Sequence, residues 1–159
     1  MSATAPATWE PGTTFSTVVI DNLPRSQIVQ YAGASGDFNP IHTDEVYATA
    51  AAGLPSVFAH GMLTMGAAAT MLQRLVGPAA LRSYTARFAE RVWPGDTLTA
   101  SATLTDARHA DDRLHLDLEL TVTNQDGTVV LRGHAQATVP RHSGPGRPAA
   151  TNRSEITSA

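Results

Sequence analysis

The sequence predicts a single α+β domain in which one antiparallel sheet packs against a long, mostly apolar helix. Two observations lead to this fold class. Residues 60–76 are apolar on more than one helical face, which is typical of a helix covered by other structure. From Leu81 onward the hydrophobic period changes to two, as in strands that bury one face. Such a sheet needs an apolar partner, and the long helix can provide it.

The chain before the long helix is predicted to form one strand and two short helices. Residues 13–20 are rich in Thr, Val and Phe and are expected to form the strand. Pro24 suits the first turn of a helix, which we expect to end at Gly33. Asp44 can cap a further short helix that ends at Ala52.

After the long helix, the pattern predicts about four long antiparallel strands. The first begins at Leu81, and the others are expected over 98–104, 114–122 and 129–139. Turn residues lie at Pro94-Gly95-Asp96 and at Asn124-Gln125-Asp126-Gly127. The second turn is expected to join the last two strands as a hairpin.

Composition limits the class of protein. The chain has 159 residues, of which 42% are hydrophobic, a formal net charge of −3 and no cysteine. The small negative charge gives no reason to expect nucleic acid as a partner. The lack of Cys excludes disulfides, thiolate metal sites and cysteine nucleophiles. The sequence has no apolar run of about 20 residues and no signal-peptide pattern, so we expect a cytoplasmic protein without a membrane segment.

Both ends of the sequence lack the residues of a hydrophobic core. Residues 1–8 are small and polar, and residues 141–159 are rich in Gly, Pro, Ser and Thr. We expect both segments to be disordered, and we expect the folded domain to occupy residues 9–140.

Residues 31–42 carry the most informative chemistry of the chain. Asp37 and His42 are five residues apart in a segment that two glycines and Pro40 prevent from forming one regular helix. In a bent loop, a carboxylate and an imidazole can converge on one atom and activate a water molecule. Asn39 adds a third polar side chain between apolar neighbours.

Two other interpretations of this loop stay open. Asp and Asn in a loop with Gly and Pro commonly cap helices or form Asx turns. Asp37, His42 and Asp44 could instead bind a metal ion, although no Cys and no second clearly placed His accompanies them. We expect no metal site.

The run Phe58-Ala59-His60-Gly61-Met62 is the second candidate. Gly61 falls at the start of the long helix, where backbone N–H groups have no intrahelical acceptor. A glycine allows a ligand to approach these groups, and the helix dipole favours developing negative charge, as in an oxyanion hole. The alternative is an ordinary glycine near the N-cap, with His60 as a packing residue. The other histidines are expected to be solvated: His109, His115, His134 and His142.

Together these residues resemble the MaoC-like hydratase/dehydratase family of hot-dog proteins. The resemblance rests on residues 31–42, the run 59–63, Arg87-Phe88 and the run 92–97. It implies a single hot-dog domain, in which the sheet wraps around the central helix and an inserted helical overhang carries Asp37 and His42. Two departures are Ala69, where some hydratases have a serine, and Glu90-Arg91, where an apolar-proline pair is more usual.

The resemblance also implies the site and the reaction. Asp37 and His42 form the catalytic dyad, and the Gly61 amide polarises a thioester carbonyl. Asn39, His60 and Met62 are the implied substrate-binding residues, with no cofactor. The implied reaction is reversible syn addition of water to a trans-2-enoyl-CoA or enoyl-carrier-protein. In hydration Asp37 is expected to be the base and His42 the proton donor, giving a 3R-hydroxyacyl thioester.

Two other functions are compatible with the same fold. A thioesterase would need a catalytic carboxylate on or beside the central helix, and residues 60–76 contain no Asp or Glu. A non-catalytic subunit could bind acyl thioesters or support a homologous partner, but it would have no physical need for Asp37 and His42 together. Because a lone sheet leaves an edge and an open face, we expect a homodimer, or a heterodimer with a homologous subunit.

Overall fold

The computed structural model, which describes residues 9–140, contains five strands in one antiparallel sheet. Their order across the sheet is β1-β3-β4-β5-β2, so β1 and β2 form the two edges. The predicted disordered segments, 1–8 and 141–159, lie outside the described residues. The strands are β1 (Thr14–Ile20), β2 (Leu81–Phe88), β3 (Leu98–Ala110), β4 (Arg113–Thr123) and β5 (Val129–Pro140).

Most of the helical structure lies between β1 and the central helix. We call this segment, residues 24–59, the overhang. None of the helices in residues 9–140 combines the length and the apolarity that crossing a bilayer requires. The helices are α1 (Arg25–Ser35), α2 (Pro40–Thr43), a π-helical turn (Tyr47–Ala51) and the central helix α3 (Gly61–Val76).

The order of the strands and of the longer helices agrees with the order predicted from the sequence, but the short helix α2 was not predicted and α1 ends later than expected. Gly33 lies inside the helix, and Gly36 terminates it with φ +74°, in the left-handed region. The Gly36 N–H donates to the carbonyl of Ala32, as in a glycine-terminated helix. The prediction that the helix ends at Gly33 is therefore wrong, because glycine is tolerated within a helix when the next turn is well formed.

The central helix buries one face against the sheet and leaves another open. Leu72, which is fully buried, packs in the same core as Leu98 and Leu118 of the sheet. The opposite face of α3 presents Met62 and Gly66, and Met62 is 53% exposed. Apolarity on several helical faces predicted a helix covered on several sides, whereas this chain alone covers it on one. The buried α3 residues are Thr64, Ala68, Met71, Leu72, Leu75 and Val76.

The two predicted turns lie next to each other and share one buried carboxylate. Asp96 is 6% exposed, and its Oδ2 accepts a hydrogen bond from the Trp93 N–H at 2.8 Å. Its Oδ1 accepts from the side-chain amide of Gln125 at 3.1 Å. The first turn, which lies between β2 and β3 along the chain, therefore also supports the hairpin between β4 and β5.

Gly133 on β5 lies where the backbone of β2 approaches most closely. A Cβ atom at this position would be 2.6 Å from the carbonyl oxygen of Thr85. We expect Gly133→Ala to lower the free energy of unfolding by about 2 kcal/mol, because β2 must move away from β5. Gly66→Ala is the matched control, since a Cβ there meets no atom within 4 Å, and it should stabilise α3 by up to about 1 kcal/mol. Urea unfolding of both variants measures the difference, and equal stability would contradict the predicted clash.

Candidate active site

Short-range hydrogen bonds fold the loop between α1 and α2. The Ser35 hydroxyl accepts from the Asp37 N–H at 3.3 Å, and Asp37 Oδ1 accepts from the Asn39 N–H at 3.2 Å. Asn39 is the N-cap of α2, and its Oδ1 accepts from the Ile41 N–H at 3.2 Å. These are the Asx-turn and capping bonds expected of Asp and Asn in such a loop. They fix the backbone and leave the second oxygen of the exposed Asp37 carboxylate open to ligands.

His42 lies on α2 and is buried, with 7% of its surface exposed. Its Nδ1 is 2.7 Å from the carbonyl oxygen of Phe58. Because a carbonyl oxygen only accepts, Nδ1 carries the hydrogen and the lone pair of the neutral ring is at Nε2. Burial, followed by the nearby His60, lowers the pKa of His42 below its ordinary value of 6.5, although the Phe58 carbonyl and Asp37 act in the opposite direction. His42 is therefore neutral at pH 7.

His60 lies directly behind His42 and is 2% exposed. The two imidazole rings are stacked, with centroids 3.8 Å apart and planes 30° apart. The Nε2 atom of His60 lies 3.0 Å from the backbone carbonyl oxygen of Asp37. The ring of Tyr31 contacts His60 with a centroid distance of 5.0 Å. One buried side chain thus contacts both members of the predicted dyad.

Gly61 is the first residue of α3, and His60 is its N-cap. The His60 side chain makes no capping hydrogen bond, so the first amides of α3 remain available to a ligand. A Cβ atom at Gly61 would lie 3.1 Å from three carbon atoms of the Phe88 ring. Glycine therefore permits close packing of Phe88 against the start of the helix, as well as access to the backbone.

A cavity of about 430 Å³ opens beside Gly61. Neither Asp37 nor His42 lines it, but Phe58, which bonds His42, does. The guanidinium of Arg91 lies 5.3 Å from the centre of the Phe58 ring. The cavity thus reaches the start of α3 without contacting the two residues of the predicted dyad. Its lining residues are Phe58, Ala59, Gly61, Thr64, Phe88, Ala89, Glu90, Arg91, Val92 and Val130.

Glu45 ties the overhang together. Its Oε2 accepts from Arg25 Nη1 at 2.6 Å, from the Ser56 hydroxyl at 3.2 Å and from the Val57 N–H at 3.2 Å. The hydrogen bond from Arg25, followed by that from Val57, lowers the pKa of Glu45 to about 2. This carboxylate joins α1 to the segment that leads into His60.

Asp37, His42 and His60 have donor atoms that all lie within 4.8 Å of one another. The ring geometry does not suit a metal ion, because two stacked imidazoles cannot both direct an in-plane lone pair at one point. His42 Nδ1 and His60 Nε2 are also engaged by carbonyl oxygens. Asp44, the third ligand of the metal alternative, instead accepts from the N–H of Tyr47, the first residue of the π-helical turn.

Comparison with known families identifies the domain. The family model described as "MaoC like domain" matches residues 6–126, well over half of the 159 residues. This chain belongs to the MaoC-like domain family. Among the described residues, the match includes the loop, α3 and the strands through β4.

Named relatives of this MaoC-like domain support the assignment. An (R)-specific enoyl-CoA hydratase of Rhodospirillum rubrum is 35% identical over 120 residues, which cover 74% of this chain and 81% of the relative. A 3-hydroxyacyl-thioester dehydratase Y of Mycobacterium tuberculosis is 43% identical over 68 residues, 41% of this chain but only 23% of that protein. The R-hydratase PhaJ1 of Pseudomonas aeruginosa, solved in the unliganded form, superposes with a TM-score of 0.74 at 25% identity and covers 93% of both chains. This chain therefore has the hot-dog fold predicted from the sequence.

The MaoC-like domain brings three of the six predicted site residues together: Asp37, His42 and His60. Gly61 follows His60 at the start of α3. Asn39 uses its side-chain oxygen to cap α2, and Met62 is exposed at the first turn of α3. His60, also expected to bind substrate, is buried between the rings of Tyr31 and His42.

Sequence reasoning did not assign roles to three aromatic residues of this site. Phe58 supplies the carbonyl that orients His42, Tyr31 packs on His60, and Phe88 packs on Gly61. Each of them lies within or beside a run that carries the family resemblance. Their positions in the sequence could therefore have indicated that they belong to the site. The contact between the Phe58 carbonyl and His42 could not have been found in this way, because every residue type has a backbone carbonyl.

Proposed function

We propose that this MaoC-like domain catalyses the reversible syn addition of water to trans-2-enoyl thioesters, giving 3R-hydroxyacyl thioesters. One observation carries the proposal. A neutral imidazole with its lone pair at Nε2 lies within 4.8 Å of a carboxylate and next to the residue that precedes Gly61, the start of α3. Addition to an enoyl thioester needs all three: a base, a second group that orients water, and a donor for the enolate oxygen.

The proposed hydration begins with one water molecule held between Asp37 and His42. Nε2 of neutral His42 removes a proton from the water as its oxygen bonds to C3. The electron pair of the C2–C3 double bond moves toward the thioester carbonyl, where the Gly61 amide stabilises the enolate oxygen. The imidazolium then returns the proton to C2 on the same face, which accounts for syn addition. Dehydration follows the same steps in reverse.

This division of roles differs from the expectation drawn from the sequence. Asp37 was expected to be the base and His42 the proton donor. The hydrogen bond from Nδ1 to Phe58 and the lowered pKa of His42 favour a neutral ring at rest. We therefore assign the base to His42, while Asp37 orients the water and stabilises the imidazolium.

A hydration assay tests the proposed function directly. The purified chain is incubated with crotonyl-CoA and longer trans-2-enoyl-CoAs, while the absorbance of the conjugated enoyl thioester is followed. The product's chirality is determined by chiral chromatography, and free thiol is titrated in parallel. We expect loss of absorbance, a 3R product and no thiol release. Thiol release without hydration would favour a thioesterase, and activity on no thioester would favour a non-catalytic acyl-binding subunit.

The substrate class remains acyl-CoA or acyl-carrier-protein, since both carry the thioester on a phosphopantetheine arm. Arg91 is exposed, lines the cavity beside Gly61 and is well placed to meet a carrier phosphate. We expect Arg91→Ala to raise KM for crotonyl-CoA about fivefold, about 1 kcal/mol, with little change in kcat. Glu90→Gln should change KM in the opposite direction, because Glu90 lines the same cavity. The control is Arg113→Ala, which lies away from this cavity and should leave KM unchanged. If Arg91→Ala has the same KM as the unchanged protein, the assignment of Arg91 is wrong.

A homodimer is the assembly we propose. The free edge of β2 and the open face of α3 lie near the site, where Met62 and Phe88 are 53% and 46% exposed. Pairing two such surfaces would cover apolar side chains and an unpaired strand edge. Light scattering of the purified protein should give the mass of two chains. The mass of one chain would contradict the homodimer, and a dimer formed only after a homologous subunit is added would favour the heterodimer. The absence of a cofactor and the cytoplasmic location stay predictions.

A further inference from the structure

His60 is a buried titratable residue that the proposed reaction does not use. Its neighbours Ala59 and Gly61 line the cavity beside α3, but His60 itself does not. With 2% of its surface exposed, it is closed off from a substrate in that cavity. A role in direct substrate contact therefore has no support in the geometry.

The contacts of His60 instead converge on the groups that perform the reaction. Nε2–H donates to the backbone carbonyl of Asp37, and the ring stacks on His42. As the N-cap of α3, its backbone also leads directly into Gly61. Tyr31 packs against the same ring and limits its movement.

The hydrogen bonding of His60 defines its tautomer. Because the Asp37 carbonyl only accepts, Nε2 carries the hydrogen and Nδ1 carries a lone pair. Nδ1 is buried and has no hydrogen-bond partner in the part of the chain that the structure describes. A buried polar atom without a partner destabilises the fold, and an aromatic hydrocarbon ring here would avoid that cost. Packing alone does not account for a histidine at this position.

We propose that His60 is a positioning residue that holds both members of the dyad, with Nε2–H fixing the backbone of Asp37 and the ring fixing the plane of His42. This inference rests on the proposed function for the reaction that the dyad performs. One rigid side chain then contributes to both the separation and the orientation of the carboxylate and the imidazole, beside the hydrogen bonds that Phe58 and Ser35 make. Reacting groups misplaced by about 1 Å can lose about 100-fold in rate, so this arrangement has a kinetic consequence.

His60 also affects the protonation of His42, on whose ring it stacks. Burial is the main cause of the lowered pKa of His42, and His60 lowers it further, whereas the Phe58 carbonyl and Asp37 raise it. The titratable groups that face the two stacked rings are Asp37 and Tyr31. Removing His60 should therefore raise the pKa of His42 and move the acid limb of kcat/KM to higher pH. A residue that only supported the fold would leave that limb in place.

Two substitutions separate the two contacts. His60→Phe keeps a ring to stack on His42 but removes the donor to Asp37, whereas His60→Gln keeps a donor and removes the ring. We expect each to lower kcat for crotonyl-CoA by about 10- to 100-fold, with KM changed less than about twofold. His60→Phe should melt at or above the temperature of the unchanged protein, because the unpartnered Nδ1 is gone. An unchanged kcat and acid limb in both variants would overturn the inference.

NMR of the 15N-histidine-labelled chain gives a readout that does not depend on activity. In the unchanged protein His60 should be the Nε2–H tautomer, and the pKa of His42 followed by titration should rise in His60→Phe. An Nδ1–H tautomer, or a His42 pKa that does not change, would overturn the positioning role even if the enzyme is active. Absence of hydration by the unchanged protein would instead overturn the proposed function, which keeps the two failures distinguishable.

Discussion

His42→Asn should lower kcat/KM for enoyl-CoA hydration by about three orders of magnitude while the protein stays folded. The asparagine amide can take the place of Nδ1–H and donate to the Phe58 carbonyl, so α2 keeps its contact with the segment before α3. It has no counterpart of Nε2, and general acid–base catalysis contributes about 10²- to 10⁴-fold. Steady-state kinetics with crotonyl-CoA measures the loss, and thermal unfolding checks the fold.

The pH profile of the unchanged protein gives the same assignment a second test. His42 must be neutral to accept a proton, and its pKa is lowered, chiefly by burial, from 6.5. We therefore expect kcat/KM to be level at neutral pH and to fall only as the pH decreases through a value below 6.5. His109→Asn, at an exposed position on β3, is the matched control and should leave the profile unchanged. An acid limb above 6.5, or a His42→Asn variant with more than a tenth of the activity, would contradict the base assignment.

Asp37→Asn is expected to have the second largest effect, a decrease in kcat/KM of about 10²- to 10³-fold. Asparagine keeps the oxygen that accepts from the Asn39 N–H, so the loop should retain its shape. The lost charge no longer stabilises the imidazolium of His42. Because Asp37 raises the pKa of His42, the acid limb of the residual activity should also move to lower pH.

Asp44→Asn is the control for that experiment. Asp44 lies in the same overhang, and its Oδ1 accepts from the Tyr47 N–H in a capping bond that asparagine can also make. Its activity should match that of the unchanged protein. Similar losses in both variants would show that the overhang, rather than the Asp37 charge, had been disturbed, and the dyad assignment would be wrong.

The sequence predicted those parts of the molecule that depend on local patterns. Alternation of apolar residues predicts β2 to β5, and the two glycines and Pro40 predict a bend that brings Asp37 and His42 close together. The bend is present, although His42 lies on the short helix α2 and not in the loop itself. The family resemblance predicts the hot-dog fold from runs of a few residues. Such patterns involve residues that are close together along the chain, so they can be recognised from the sequence alone.

The remainder depends on tertiary contacts that a local pattern does not contain. The stacking of His42 on His60 joins residues 18 positions apart, and the hydrogen bond to Phe58 uses a backbone carbonyl that any residue could supply. The tautomer of His42, and with it the exchange of roles with Asp37, follows only from that contact. The end of α1 was predicted wrongly for a different reason. Gly33 and Gly36 could each end the helix as far as the sequence shows, and only the structure shows that Gly36 is the one with positive φ.

The hydrogen bonds of Glu45 determine how the overhang should respond to acid. Glu45 has its pKa lowered from 4.5 to about 2, so its contribution to folding is complete above pH 4.5 and is lost only as the pH falls through about 2. A glutamate with the ordinary pKa of 4.5 would be largely protonated below that pH, whereas Glu45 stays ionised down to about 2. Between these two values Glu45 should still join α1 to the segment before His60, so the overhang should keep these contacts in acid and need no refolding when the pH returns to neutral.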